Sequence, residues 1–420
     1  MDSTVVKFQN PWWENALAIE NDFHLKSVVG QPHYFSRPEK SLLKLEPGNI
    51  HILRGPRQVG KTTLLKELIQ GVLQDKRAPG EHVFFLSCEE IEGYAELLRI
   101  LLDWLKSNKA VRPLYLFLDE ISFVSQWQRS ILALANMGLL KNVSAVLTGS
   151  NARDLKESGE RLPGRRGGGR DIELYPLSCA EFHALQSFQH LSPREALETY
   201  LQVGGFPHAI RDYALHGFVT DETYLVYRNW IIGDASRYEL SEEFLKHIMF
   251  RISQTQGSRV TWSTLIETTP VKSHETALEY VEHLANAFLC RVLYSYDPER
   301  QGPSFHKARK LFFVDPLLSH LGACWKSNVT NIFQWVREKV KSPEFCSSIL
   351  ESSFAIGAAK KFPSAYYWYS TKQKLEVDLV IPTDGTLQLY DIKWTRRATY
   401  KALGQTVEIL GPDELESFLR

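Results

Sequence analysis

The sequence predicts an α/β protein: a parallel sheet first, a helical middle, and a small α/β domain at the end. Three observations predict it. In the first third, short apolar runs alternate with segments of helical spacing, and a glycine-rich loop lies between the first run and the first helix. From about residue 186 the pattern is helical for a long stretch. Near the C-terminus an Asp-Gly pair, Asp384-Gly385, separates two apolar strands.

The composition bounds the rest. With 420 residues the chain is long enough for two to four domains, and 44% hydrophobic content supplies a core. Basic and acidic residues balance at 49 each, so a nucleic-acid partner would have to be met by a local patch. The five cysteines are scattered with no C-x-x-C pair, which argues against a disulfide framework or a zinc site. No signal core and no run of bilayer length is present, so the expectation is a cytoplasmic protein without a membrane partner.

The first run, Ile50, Ile52 and Leu53, reads as a buried strand. Leu64, Leu65, Leu68, Ile69 and Val72 recur at helical spacing. Between them Gly55, Pro56, Arg57, Gln58, Val59, Gly60, Lys61 and Thr62 fit G-x-x-x-x-G-K-[ST], followed by Thr63. Such a loop turns backbone N–H groups towards phosphate at a helix N-terminus. Lys61 is placed to reach the β- and γ-phosphates, and the Thr62 hydroxyl to ligate Mg2+. The next apolar run ends in Asp119 and Glu120. At the C-terminal end of a central strand, Asp119 would hold the metal, and Glu120 would orient and deprotonate the attacking water. A third run ends in Thr148, Ser150 and Asn151. Ser150 is carried forward as a nucleotide contact, while Asn151 reads equally as a helix N-cap. No N-K-x-D guanine reader is found, so ATP is the expected nucleotide.

With "LFLDEI", "VLTGS", "GRRGGGRDIELYPLSCAEF", "YLQVGGFPHAI", "NPWWEN" and "YFSRPE", the chain resembles an archaeal and bacterial group of AAA+-like P-loop ATPases. These have an AAA_14-type core and a DUF4143-type C-terminal half. The resemblance implies a P-loop NTPase parallel sheet with a helical lid. It also implies that Arg165, in the place of a family Gly-Arg pair, neutralises charge on the transferred phosphate. Within that loop Arg161, Arg166 and Arg170 could equally make a basic nucleic-acid contact. The expected domains are an N-terminal segment (1–46), the ATPase core (47–185), a helical lid (186–241), a winged-helix-like domain (242–335) and a C-terminal domain (336–420).

The 242–299 stretch reads as three helices and a strand, "FLCRVLYSYD", which fits a winged helix. Its third helix carries Glu275, Glu279 and Glu282, which would repel phosphates. Packing on protein by Ala277, Leu278, Val281 and Leu284, behind an N-capping Ser273, is the favoured reading.

If Asp384 and Gly385 form a two-residue turn, Thr383 pairs with Thr386, Asp378 with Asp391, and Glu376 with Lys393. Facing carboxylates repel unless a cation lies between them. Period two puts Asp391 and Lys393 on one face. This pattern resembles a PD-(D/E)xK nuclease, with Glu351 on an upstream helix as the further acid. The resemblance implies that Asp378 and Asp391 bind Mg2+ and that Glu351 and Lys393 assist cleavage. Arg396, Arg397 and Lys401 add a basic cluster. The functional expectation is an ATPase coupled to a nuclease-like domain acting on nucleic acid, DNA first. The alternative is an ATP-controlled switch whose C-terminal domain binds a protein client or nucleic acid without cleavage. A homo-oligomer is compatible with either.

Overall fold

A computed structural model describes residues 2–28, 30–108, 113–151, 164–327, 329–362, 364–383, 385–395 and 398–419. The chain divides into two compact units, Met1–Tyr175 and Pro176–Arg420.

The first unit is built on five parallel strands: β1 (Ile50–Arg54), β2 (Val83–Ser87), β3 (Leu114–Asp119), β4 (Val143–Gly149) and β5 (Asp171–Glu173). Their order is β2-β3-β4-β1-β5. β1, β3 and β4 are buried along their whole length because helices cover both faces. Alternate residues serve the two sides. Leu53, Phe85, Phe117 and Val146 pack on Leu64, Leu65, Leu68, Ile69 and Val72 of the helix Lys61–Gln74. Ile52, Phe84, Leu116 and Leu147 pack on Leu97, Leu101, Ile131 and Leu134 of the helices Tyr94–Ser107 and Gln128–Asn136. Each such side chain stabilises the fold by roughly 1.5–3 kcal/mol on burial.

β2 is an edge strand, and the N-terminal segment supplies its missing partner with side chains. Trp12 and Trp13 both donate to Val83 O, at 2.8 and 2.9 Å. Asn10 accepts from Phe85 N at 2.7 Å and donates to Phe85 O at 2.8 Å. Gln9 accepts from Ser87 N at 2.7 Å. These contacts account for the "QNPWW" stretch.

The second unit begins with the short helix Cys179–His183 and the helices Pro193–Val203, Pro207–His216 and Asp221–Ser236. Glu242–Thr255, Trp262–Ile266 and His274–Asn286 follow. Ser273 caps the last of these by accepting from Thr276 N at 3.0 Å. Its Ala277, Val281 and Leu284 are buried, and Glu275, Glu279 and Glu282 face outwards.

The stretch 288–297, read as one strand, is two. β6 (Cys290–Leu293) pairs with β9 (Lys310–Phe313). β7 (Ser295–Asp297) turns away after Tyr294 to pair with β8 (Gly302–Ser304) and with β10 (Tyr366–Ser370). With β11 (Leu375–Thr383), β12 (Thr386–Ile392), β13 (Tyr400–Ala402) and β14 (Gln405–Leu410) they form a seven-stranded sheet, ordered β13-β14-β12-β11-β10-β7-β8. A division at residue 336 would cut this sheet, since β7 and β8 precede it. The helix Pro343–Lys361 packs on β9, β11 and β12.

The β11–β12 hairpin pairs Thr383 with Thr386 and continues to Leu379 with Tyr390. Asp384 lies outside the described residues. Glu376 does not oppose Lys393. β12 ends at Ile392, Lys393 N donates to Leu410 O at 2.9 Å, and Glu376 pairs with Tyr369 of β10. Among the described residues no helix is long and apolar enough to cross a membrane.

Candidate functional site

Two charged centres are present, one in each unit. In the first, the chain leaves β1 through Gly55. A Cβ there would stand 2.1 Å from Leu174 O, so only glycine fits. The loop re-enters the helix at Gly60, whose φ of +99° also favours glycine. Lys61, Thr62 and Thr63 form the first turn. Arg57 lies over the Phe123 ring, Gln58 is exposed, and Val59 is buried with its carbonyl bound by the Arg37 guanidinium at 3.0 Å. Arg37, in the "YFSRPE" stretch, also donates to Tyr175 O at 3.0 Å and so braces the loop.

The side chains meet at the C-terminal end of β3. Thr62 donates to one carboxylate oxygen of Asp119 at 2.6 Å, and Thr148 donates to the other at 2.6 Å. Glu120, at φ +50°, donates from its backbone N to Thr148 Oγ1 at 3.0 Å. That left-handed turn points its carboxylate to Lys61, 3.1 Å from Nζ. Lys61 Nζ also donates to Gly55 O and Pro56 O, at 3.0 and 2.9 Å.

Burial and the neighbouring Glu120 charge push the Asp119 carboxyl up. Burial acts the same way on Glu120, but the Lys61 ammonium outweighs it and, with Arg57 and Ser150 nearby, holds its carboxyl below the ordinary value. The loop residues, Asp119, Glu120 and Ser150 are therefore brought together. Thr62 and Asp119 offer hard oxygen donors 2.6 Å apart, which suits Mg2+.

Arg165 is not brought there. Arg166 O accepts from Ile50 N at 3.1 Å, and Gly168 N donates to the Asn49 side chain at 2.7 Å. The glycine-rich loop thus sits at the start of β1, about 13 Å of strand away from Gly55 at its end. The exposed Arg165 does not meet the phosphate loop of its own chain. Arg166 instead pairs with Asp171 at 2.6 Å. Arg161 lies outside the described residues.

In the second centre the hairpin and the helix Pro343–Lys361 bring Glu351, Asp378, Asp391 and Lys393 onto one cavity of about 430 Å³. Lys393 Nζ lies 3.1 Å from Asp378 Oδ2 and 2.5 Å from Asp391 Oδ1. Asp378 Oδ2 also accepts from Ile392 N at 2.9 Å. The two acids therefore share a cation, and that cation is Lys393; the strand pairing itself ends at Leu379 with Tyr390.

A second lysine completes the balance, and sequence reasoning missed it. Lys310 of β9 is fully buried, with Nζ 2.7 Å from Glu351, 2.7 Å from Glu376 and 2.8 Å from Asp378. Arg259 meets the other Glu376 oxygen at 2.8 Å. Tyr400 donates to Glu376 O at 2.7 Å. The only sequence signal for Lys310 is a charge at the head of the apolar run "KLFFV".

Burial and the Asp378 charge push Glu351 up to about 8. Burial and Asp378 push Asp391 up to about 7. Burial opposes ionisation of Asp378 too, but the Lys310 ammonium, the hydrogen bond from Asp391 and the Lys393 charge together outweigh it and hold that carboxyl low. Among the described residues no three His, Cys, Asp or Glu side chains stand ready as a metal-holding group. The oxygen donors of Asp378 and Asp391 suit a hard cation where Lys393 now bridges them. Arg396 and Arg397 lie outside the described residues.

Residues 47–183 match the family model described as an AAA domain. Residues 194–326 match a domain of unknown function, DUF8612, where DUF4143 was expected. An uncharacterized protein of Haemophilus influenzae is 28% identical over 283 residues, covering 63% of this chain and 66% of that protein. A Walker-type ATPase of Pyrococcus abyssi is similar at 15% identity and a TM-score of 0.46, over 69% of this chain and 95% of that one. The Aeropyrum pernix ORC2 protein, in ADPNP and ADP complexes, is similar at 15% identity and a TM-score of 0.40, over 77% and 94%. At such identities and scores these likenesses assign no activity, substrate or partner to this chain. The residues that match the AAA-domain model, 47–183, are those that carry the phosphate loop, Asp119 and Glu120.

Proposed function

We propose that this chain hydrolyses ATP with Mg2+ and couples the nucleotide state to a C-terminal centre that acts on nucleic acid. The observation that carries the first half is the contact set Thr62–Asp119 at 2.6 Å and Lys61–Glu120 at 3.1 Å. Thr62 and Asp119 would hold the magnesium ion, which supplies charge neutralisation across the β- and γ-phosphates. Lys61, on its flexible stem, would move from the Gly55 and Pro56 carbonyls to the phosphates. That movement frees Glu120, held ionised beside Arg57 and Ser150, to take a proton from the attacking water. Phosphate release from ATP by the wild type, Lys61→Ala and Glu120→Gln tests this. Equal rates in all three would rule it out. Arg165 would serve only as a residue offered to a neighbouring copy, and its substitution should then matter only in an oligomer.

Metal-dependent cleavage in the second unit is favoured by the convergence of Glu351, Asp378, Asp391 and Lys393 on one cavity. Asp378 and Asp391 would hold one Mg2+, which supplies activation of water against a phosphodiester. Lys393 would swing from between the acids to the scissile phosphate, and the exposed Lys401 would meet the backbone. The order of three helices followed by paired β6 and β9 supports a winged-helix-like part that packs on protein. The test is incubation of plasmid and single-stranded DNA and RNA with Mg2+ or Mn2+, with and without ATP, alongside Asp391→Ala and Lys393→Ala. Without cutting by the wild type, the chain is a nucleotide-controlled adaptor.

A further inference from the structure

Lys310 is the most completely buried charge in the second centre. Its ammonium donates to Glu351 and Asp378 at 2.7 and 2.8 Å and pairs with Glu376 at 2.7 Å. The residues around it close the position. A Cβ on Gly257 would stand 2.8 Å from Glu351 Oε2. Arg259 occupies the second oxygen of Glu376 at 2.8 Å. β9 anchors the Lys310 backbone through the pairing of Lys310 with Leu293, and its neighbour Arg309 bridges to Val260.

The Lys393 position differs. Its ammonium joins Asp378 and Asp391, but the side chain is 26% exposed and lines the cavity. Asp378 divides its two oxygens between the positions, Oδ1 to Lys310 and Oδ2 to Lys393. One cation can leave into the cavity; the other has no exposed surface through which to leave.

We propose that Lys310 is a positioning residue acting as a tethered cation in the place of a second metal ion. It limits this centre to one divalent cation, at Asp378 and Asp391. The inference rests on the metal-dependent reading above. A divalent ion in the Lys310 position would have to expel a lysine held by three carboxylates and then bind in the same closed space. A charge on the chain itself needs no capture from solvent, so Glu351 and Asp378 stay oriented whether or not metal is bound. It also makes the centre composite, because the lysine comes from β9, outside the hairpin and helix that carry the acids.

The test is a count of bound Mn2+ by electron paramagnetic resonance on the full chain without nucleotide. Asp119→Ala is the background, to remove the nucleotide-site metal. The expected count is one, falling to none with Asp391→Ala. Lys310→Met should raise it to two, and Lys310→Arg should restore one, which a merely structural lysine would not do. Two ions in the background protein, or one ion in a folded Lys310→Met protein, overturns the proposal. If Lys310→Met does not fold, the count with Lys310 intact decides alone, one supporting and two overturning. No bound Mn2+ at all sinks the metal-dependent reading and this proposal with it. One ion that survives Asp391→Ala sinks the reading's choice of ligands and leaves the proposal overturned as well.

Discussion

At the end of β3 two acids meet one lysine; at the start of β11 four acids meet two lysines and an arginine. The first centre is sparse. Asp119 is satisfied by hydroxyls, and the one ammonium rests on two carbonyls and Glu120. Its groups are held by weak partners that phosphate and Mg2+ can replace. The second centre is saturated, and Lys310 meets three acidic side chains in a closed position. The difference separates a site arranged for exchange from one in which part of the charge is fixed structure.

The largest expected effect breaks the comparison from the exchange side. Lys61→Ala should slow ATP turnover by about a thousandfold, as loss of a key charge-stabilising donor does. It should cost little stability by comparison with the second centre, as read by phosphate release and urea unfolding on the same protein. Next, Lys310→Met should lower the unfolding free energy by about 3–5 kcal/mol, the range for removing one partner of a buried ion pair. ATP turnover gives the complementary readout. If Lys61→Ala proves the more destabilising of the two, the contrast is wrong.

A third test uses a buried group with no charge to balance. Burial pushes the His320 ring down to about 3 from an ordinary 6.5. The unfolded chain therefore takes a proton that the folded chain refuses. Stability is full above pH 6.5 and falls as the pH drops towards 3, by roughly 3–5 kcal/mol. His320→Phe should lack this slope, so its pH–stability curve and the wild type's diverge in that window as the pH falls. The smallest effect is at the β2 edge, where Gln9→Ala removes one hydrogen bond and should cost about 1 kcal/mol in denaturant unfolding.

Much of the first centre was legible because its residues are local. Gly55 to Thr62 lie in one loop, and Asp119 and Glu120 end one apolar strand, so spacing alone aligns them. The hairpin was legible for a similar reason: a two-residue turn fixes register, and the pairing of Thr383 with Thr386 leads to Asp378 and Asp391. Lys310 was not legible. It meets partners 41 to 68 residues away through a strand of a different sheet, and no local pattern encodes that. The place of Arg165 was not legible for the complementary reason. A glycine-rich loop shows that a chain can turn, not which end of a strand it reaches. The break after Leu293 was hidden because an apolar run does not show that it serves two sheets.

The side-chain row along β2 bears on how the protein behaves in a crowded cell. An open strand edge is a template on which another chain can add itself and start an aggregate. Here Gln9, Asn10, Trp12 and Trp13 occupy the outward hydrogen-bonding groups of Val83, Phe85 and Ser87. A fragment trimmed to residues 47–183 would lose that cover and should become prone to self-association, so the first residues act as a built-in guard against polymerisation.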